Sequence, residues 1–317
     1  MRQDPTIPVY LITGFLDGGK TNFLKYTMQE DYFNDGSKTL LILCEEGEEE
    51  YEPAMLKKCS AKLELIDSEE DFTEKTIQKL ALKHRPERVI IEYNGMWSVK
   101  KALDLKLPKY WMIYQIITIL DGENFGLYLN NIKMTAMEML TNTDMVIFNR
   151  CKPDSDLVLY QRTLRSVNPK CDLVFEDDKG EPVECPEPDL PYDIKGDDIE
   201  ISDENYGTFY IDLPEHPERY EGKRIHMCCQ VMQSKDAPDP KVLVAGRRAM
   251  TCCEADIRFL PYLFIYDKAR SIENRAFINV TATMKWEYHE AYQEKGPVFY
   301  VNELKLANRP ADELIYF

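Results

Sequence analysis

A glycine-rich loop that ends in a lysine and a threonine follows a short apolar run near the N-terminus. The run, residues 9–12, has the β-branched and aromatic character of a strand. Residues 14–21 then match G-x-x-x-x-G-K-[ST] at every fixed position. In such a loop backbone amides surround phosphate oxygens, the lysine neutralises the β- and γ-phosphates, and the hydroxyl binds Mg²⁺. We therefore predict a phosphate site formed by Gly14, Gly18, Gly19, Lys20, Thr21 and Asn22, with Thr21 as the Mg²⁺ ligand.

The rest of the N-terminal half alternates apolar runs with helix-like stretches. Strand-like runs lie at residues 40–44, 88–92, 116–120 and 145–148, and helix-like stretches at residues 22–30 and 72–84. Strands that alternate with helices are typical of a parallel sheet with helices on both faces. We therefore predict an α/β domain of the P-loop NTPase type, built on a doubly wound, mostly parallel sheet.

Polar residues close several of these runs, and ligands bind at the carboxyl ends of parallel strands. Glu92 closes one run and is followed by Gly95. A carboxylate there can hold the water shell of a metal ion, and a glycine amide can meet a γ-phosphate. Asp121 closes the next run. Asn149, followed by Arg150, closes the last run, where nucleotide-binding proteins contact the base.

Residues 45–52 form an acidic segment, Glu-Glu-Gly-Glu-Glu-Glu-Tyr-Glu, directly after the second predicted strand. One interpretation is a switch loop in which Glu45 or Glu46 positions the attacking water or a second metal ion, because phosphoryl transfer depends on positioning and electrostatics. The other interpretation is a solvated surface loop. Both stay open for Glu45 and Glu46, and the second is favoured for the other residues.

The formal net charge of −17 is concentrated in two places. The acidic segment carries −6, and residues 176–204 carry −11 together with four prolines. An acidic, proline-rich stretch of this kind is typical of a linker or solvated loop. We therefore predict domains at residues 1–176 and 205–317, joined by a linker at 177–204. The acidic excess argues against nucleic acid or an anionic membrane as the main partner.

The C-terminal half changes to a mostly β pattern. Strand-like runs lie at residues 206–213, 224–232, 242–252, 260–265, 276–287 and 298–305. Six short strands separated by turn residues indicate a small barrel or sandwich, and the last two runs favour an OB-like barrel. Single-stranded nucleic acid is a common ligand of such barrels, but this half lacks a basic stripe.

The chain has nine cysteines, and several lie close together in the C-terminal half. No apolar run reaches the roughly 18 residues of a transmembrane helix, and residues 1–8 lack the pattern of a secretory signal. We therefore expect a cytoplasmic protein whose cysteines are thiols or metal ligands. One interpretation is a zinc site formed by His226, Cys228, Cys252 and Cys253. The alternative is a set of small core residues.

Five motifs together resemble the CobW family of P-loop GTPases, relatives of the metal-insertion GTPases HypB and UreG. They are Ile-Thr-Gly-Phe-Leu-x-x-Gly-Lys-Thr at 12–21, Glu-Glu-Gly at 45–47, Glu-x-x-Gly at 92–95, Thr-Ile-Leu-Asp-Gly at 118–122 and Asn-Arg at 149–150. The resemblance covers roughly residues 7–176. It implies GTP hydrolysis with Mg²⁺ and a cytoplasmic role in handling zinc or cobalt or delivering it to a partner protein. It also implies Lys20, Glu46 and Glu92 as catalytic residues and Asn149 and Arg150 as nucleotide contacts. Residues 244–256 resemble the soluble C-terminal region of YcgQ-type membrane proteins.

The chain departs from the family pattern at two places. The usual Gly-Cys-x-Cys-Cys motif is replaced by acidic residues at 67–71, and the usual Asn-Lys-x-Asp becomes Asn-Arg-Cys-Lys at 149–152. Lys152 cannot accept the two N–H donors of guanine, although Asp154 could do so if the loop bends at Pro153. These departures keep open a second hypothesis, a nucleotide-gated scaffold that binds GTP or ATP without turnover. A homo-oligomer is compatible with either hypothesis.

Overall fold

A computed structural model describes residues 6–232, 239–251 and 254–317. The chain divides into two compact units, Met1–Pro186 and Glu187–Phe317. In the described residues no helix combines the length and apolar character needed to cross a bilayer.

The N-terminal unit is built on a seven-stranded sheet in which every strand pair is parallel. The strands are β1 (Ile7–Thr13), β2 (Thr39–Leu43), β3 (Ala61–Leu65), β4 (Arg88–Glu92), β5 (Trp111–Asp121), β6 (Met145–Asn149) and β7 (Asp172–Phe175). The helices are α1 (Lys20–Thr27), α2 (Pro53–Lys58), α3 (Glu74–His84), α4 (Val99–Asp104), α5 (Phe125–Asn131), α6 (Lys133–Thr141) and α7 (Leu157–Val167). The predicted α/β fold with a parallel sheet is confirmed.

The strand order β3-β2-β4-β1-β5-β6-β7 places the glycine-rich loop at the middle of the sheet. Leu40 to Ile42 of β2 and Val89 and Ile90 of β4 are fully buried, as expected for strands covered on both faces. Because β1 lies between β4 and β5, the residues that follow these three strands meet at one edge. The end of β6 lies one strand further on.

The C-terminal unit is mostly β and contains a mixed sheet in the order β14-β10-β11-β13-β12-β9-β8. Its elements are β8 (Asp198–Ile201), α8 (Tyr206–Glu215), β9 (Arg224–Val231), β10 (Val242–Met250), β11 (Arg258–Ile265), β12 (Phe277–His289), β13 (Glu294–Ala307) and β14 (Leu314–Tyr316). Strand β9 also pairs with β10 at Gly246 and Gln230, and β11 pairs with β13 in parallel. Pairings therefore connect β9, β10, β11, β13 and β12 in a ring. The mostly-β fold of this unit is confirmed, and the OB-like barrel stays a prediction.

The prediction of a strand at residues 206–213 is wrong, because this segment forms α8. Tyr206, Phe209 and Leu213 are buried, and their spacing of three and four residues places them on one face of a helix. Aromatic residues favour strands when they are considered one at a time, which explains the error.

Strand β8 lies inside the segment expected to be a linker. Ile199 and Ile201 are buried, while Asp198 and Glu200 between and before them are exposed. This alternation of period two is enough to add a strand to the sheet, where β8 pairs with β9 in parallel. The high acidic content of the segment predicts a linker, although its two apolar residues are buried in the sheet.

Candidate nucleotide site

The loop between β1 and α1 is shaped by glycines that have no room for a side chain. Gly14 has φ 139°, and a Cβ atom there would lie 2.0 Å from the Ile119 carbonyl oxygen on β5. Gly19, which directly precedes α1, has φ 99°, and its Cβ would lie 2.3 Å from Asn149 Nδ2. Left-handed backbone is open to glycine at little cost. The loop can therefore wrap closely around the N-terminus of α1, where amides are free to bind an anion.

Lys20 is buried and its ammonium group has three oxygen partners. Nζ donates to the carbonyl oxygens of Gly14 at 2.8 Å and Phe15 at 2.9 Å, and forms an ion pair with Glu45 Oε2 at 2.9 Å. The side chains of Lys20 and Glu45 are only 4% and 10% exposed. A phosphate that binds to Lys20 must therefore take over the partner role of the Glu45 carboxylate.

Glu92, the last residue of β4, is 2% exposed and accepts two hydrogen bonds from hydroxyl groups. Thr21 Oγ1 donates to Oε1 at 2.6 Å, and Tyr51 OH donates to Oε2 at 2.5 Å. Burial raises the pKa of Glu92, while the two hydrogen bonds and the charge of Lys20 oppose that rise. A hydroxyl and a carboxylate side by side are the oxygen ligands that Mg²⁺ uses, so Thr21 and Glu92 fit this ion.

Gly95 brings the chain after β4 against the glycine-rich loop. A Cβ on Gly95 would lie 2.2 Å from the Gly14 carbonyl oxygen and 3.0 Å from the Phe15 nitrogen. Only a residue without a side chain allows this approach. Gly95 is thus held against Gly14, whose carbonyl oxygen also accepts a hydrogen bond from Lys20 Nζ.

Asn149 and Arg150 connect the end of β6 to the same loop. Asn149 Nδ2 donates to the Gly18 carbonyl oxygen at 2.9 Å, and Arg150 Nη1 donates to the Asp17 carbonyl oxygen at 2.9 Å. Arg150 Nη1 also lies 3.2 Å from Asp121 Oδ2. Asn149 Oδ1 is buried, and within the described part of the chain it has no hydrogen-bond partner. This oxygen is a buried acceptor without a partner, on a side chain that is bonded to the glycine-rich loop.

The residues after Arg150 form a short turn. The Lys152 backbone nitrogen donates to Ser155 Oγ at 2.9 Å, and Lys152 Nζ lies 3.9 Å from Asp178 Oδ2. Asp154, the candidate substitute for the missing carboxylate, is exposed. Lys152 thus stands where the family pattern has an aspartate, and its charge faces an acidic partner on the chain after β7.

A cavity of about 120 Å³ lies beside the glycine-rich loop and the start of α1. It is lined by Leu16, Asp17, Gly19, Lys20, Thr21, Asn22, Glu45, Gly47, Glu48, Glu49, Glu92 and Arg150. The acidic segment contributes Glu45 to this lining, whereas Glu46 is exposed and does not line the cavity. The sequence did not indicate Tyr51 as a site residue, although it is the one aromatic residue in the acidic segment.

The C-terminal histidine and cysteine candidates are only partly covered by the structure. His226 and Cys228 are both half-buried on one face of β9. His226 Nε2 lies 3.0 Å from Asp198 Oδ1, and its Nδ1 lies 2.8 Å from Thr281 Oγ1. Cys252 and Cys253 lie outside the described residues. Across the ranges 6–232, 239–251 and 254–317, no group of three or more His, Cys, Asp or Glu residues is placed to hold a metal ion.

The parallel sheet and the glycine-rich loop at its centre define a nucleotide-binding domain with the P-loop NTPase fold. Residues 8–175 match the family model described as CobW/HypB/UreG, nucleotide-binding domain. This match spans more than half of the chain, which therefore belongs to the CobW/HypB/UreG family. Residues 187–317 match the model described as DUF1980 C-terminal domain.

Several solved structures resemble the chain at low sequence identity. Zn(II)-bound YjiA GTPase from E. coli is 15% identical with a TM-score of 0.42, covering 81% of this chain and 88% of that chain. HypB from Archaeoglobus fulgidus is 15% identical with a TM-score of 0.39, covering 55% and 83%. HypB from Helicobacter pylori in complex with nickel is 12% identical with a TM-score of 0.37, covering 55% and 80%. The comparison with curated proteins found no match.

Proposed function

We propose that this chain is a Mg²⁺-dependent GTP-binding protein that hydrolyses GTP and serves in the handling of zinc or cobalt, or in its delivery to a partner protein. The observation that carries the nucleotide part is the arrangement of buried Lys20, buried Glu92 and half-buried Thr21 beside the glycine-rich loop. The family membership supports GTP as the nucleotide and a metal as the cargo.

In this proposal the loop amides and Lys20 bind the β- and γ-phosphates. Thr21 and Glu92 hold Mg²⁺, which when bound neutralises charge on the phosphate oxygens. Gly95 presents its amide to the γ-phosphate, and Asn149 Oδ1 accepts a hydrogen bond from the base. Each of these residues acts by holding a group in place, which is the main contribution of a protein to phosphoryl transfer.

The nucleotide proposal predicts a difference between GTP and ATP. We expect GTP to bind about tenfold more tightly than ATP, and we expect this binding to depend on Mg²⁺. The loss of one hydrogen bond between the base and a buried polar group of the protein weakens binding by about a factor of ten. Isothermal titration calorimetry with each nucleotide, with Mg²⁺ and with EDTA, measures this. Equal affinities would contradict the assignment of GTP.

Turnover separates this function from a regulatory scaffold. The exposed position of Glu46 favours the scaffold, because a carboxylate in solvent does not position a water on the γ-phosphate. Phosphate release from GTP, followed with and without added zinc or cobalt, distinguishes the two. Phosphate release faster than that from GTP without protein supports the GTPase. Tight GTP binding without phosphate release supports the scaffold.

The metal part of the proposal rests on thiols in the C-terminal unit. Cys228, Cys252 and Cys253 with His226 provide the soft ligands that zinc and cobalt prefer. We expect purified protein to contain about one zinc or cobalt ion per chain and the double variant C252S/C253S to lose it, measured by elemental analysis. The matched variant C59S/C171S removes two buried thiols of the N-terminal unit. Metal content in C252S/C253S equal to that of the parent would exclude the Cys252 and Cys253 thiols from the site.

A further inference from the structure

Tyr51 is the buried residue among the exposed residues 46–52 of the acidic segment. Glu46, Glu48, Glu49 and Glu50 are all exposed, whereas Tyr51 is only 9% exposed. Its ring belongs to the apolar cluster that also contains Met55 and Ile90. The acidic segment is therefore attached to the core of the unit at this one side chain, immediately before α2.

The hydroxyl of Tyr51 does more than complete this packing. It donates to Glu92 Oε2 at 2.5 Å, while Thr21 Oγ1 donates to Oε1 at 2.6 Å. A buried carboxylate that loses a hydrogen-bond donor is costly, so each oxygen has a strong preference to keep its partner. With both oxygens held, the carboxylate plane of Glu92 has one orientation.

The other end of the acidic segment also contacts the site. Glu45 is paired with Lys20 at 2.9 Å, so the segment is held at Glu45 by the phosphate-binding lysine and at Tyr51 by the cation-binding carboxylate. Only five residues separate these two contacts in the chain. A change in the partner of Lys20 therefore acts on a short segment whose other end orients Glu92.

We propose that Tyr51 is a positioning residue of the magnesium site: its hydroxyl fixes Glu92 Oε2 and thereby keeps Oε1 beside the Thr21 hydroxyl. This inference rests on the proposed nucleotide function and adds a residue to it. This positioning role differs from a packing role of Tyr51. Packing depends on the aromatic ring, whereas positioning depends on the hydroxyl oxygen alone.

The variant Y51F tests this distinction, since it keeps the ring and removes the oxygen. The matched control is Y32F, because Tyr32 is 76% exposed. GTP affinity of the full chain is measured by calorimetry in EDTA and over a series of Mg²⁺ concentrations. We expect the affinity of Y51F in EDTA to stay within about twofold of the parent and the half-saturating Mg²⁺ concentration to rise about tenfold, as for loss of a group that orients a metal ligand. Y32F should match the parent in both.

A half-saturating Mg²⁺ concentration in Y51F equal to that of the parent would overturn the proposal. An equal loss of affinity with and without Mg²⁺ would also overturn it, because such a loss indicates packing. A parent chain that binds no GTP would instead contradict the proposed function.

A second measurement needs no nucleotide. A protease specific for glutamate can cut at Glu46, Glu48, Glu49 and Glu50, which are exposed. We expect the fragments cut at these four residues to form about threefold faster from Y51F than from Y32F, because the hydroxyl no longer holds the segment. Equal cutting rates would show that the hydroxyl does not hold the segment and would overturn the proposal on their own.

Discussion

Replacing Lys20 by alanine is expected to weaken GTP binding about 100-fold, because the truncation of a buried charged partner costs about 2 to 5 kcal/mol. The Lys20 side chain is 4% exposed, and its ammonium group lies among the carbonyl oxygens of Gly14 and Phe15 and the Glu45 carboxylate. The phosphate oxygens of a nucleotide would be its natural partners in place of Glu45. Calorimetry on the full chain measures the loss.

The variant K25A is the matched control for this change. Lys25 lies on the same helix, and its partner Glu49 is 54% exposed. Surface ion pairs contribute little, so K25A should keep the parent affinity within about a factor of three. If K20A binds GTP as tightly as K25A, then Lys20 is not a phosphate ligand and the glycine-rich loop is not the nucleotide site.

The variant E45Q is expected to bind GTP about tenfold more tightly than the parent. The Glu45 carboxylate is an anion already bound to Lys20, and the γ-phosphate has to displace it. Glutamine has the same size but no charge, so it competes less well for the ammonium group. In the absence of nucleotide the same variant should unfold at a lower temperature, because a buried ammonium group loses its counter-charge.

Two measurements check this pair of opposite effects. Calorimetry gives the affinity, and a thermal melt with and without GTP gives the change in stability. The control E49Q removes a carboxylate that also lines the cavity but pairs with Lys25 in a more exposed position. Weaker GTP binding by E45Q than by E49Q would show that Glu45 assists the bound nucleotide instead of competing with it.

The glycine-rich loop and the central strands could be predicted from the sequence because their signals are local. A fixed spacing from Gly14 to Thr21 specifies a backbone path, and continuous apolar runs such as β2 and β4 have few structural alternatives. The polar residues that close β4 and β6 could be chosen on the same basis, since parallel strands end at one edge.

Other features depend on contacts that a linear pattern does not contain. Glu45 and Glu46 are adjacent and chemically identical, and only the path of the loop places the first on Lys20 and leaves the second exposed. Tyr51 lies 41 positions before its partner Glu92. The segment from Tyr206 to Leu213 forms a helix, but over so short a length its aromatic residues fit the two-residue period of a strand as well as the 3.6-residue period of a helix.

The close approach of Gly14 and Gly95 has a thermodynamic consequence. The two backbones leave no space for a methyl group, so they are already packed together before a ligand arrives. A binding loop that is already packed in place loses little conformational entropy when the ligand binds, and this lowers the free-energy cost of association. Most of the ordering cost should then come from the acidic segment, whose side chains have to exchange partners.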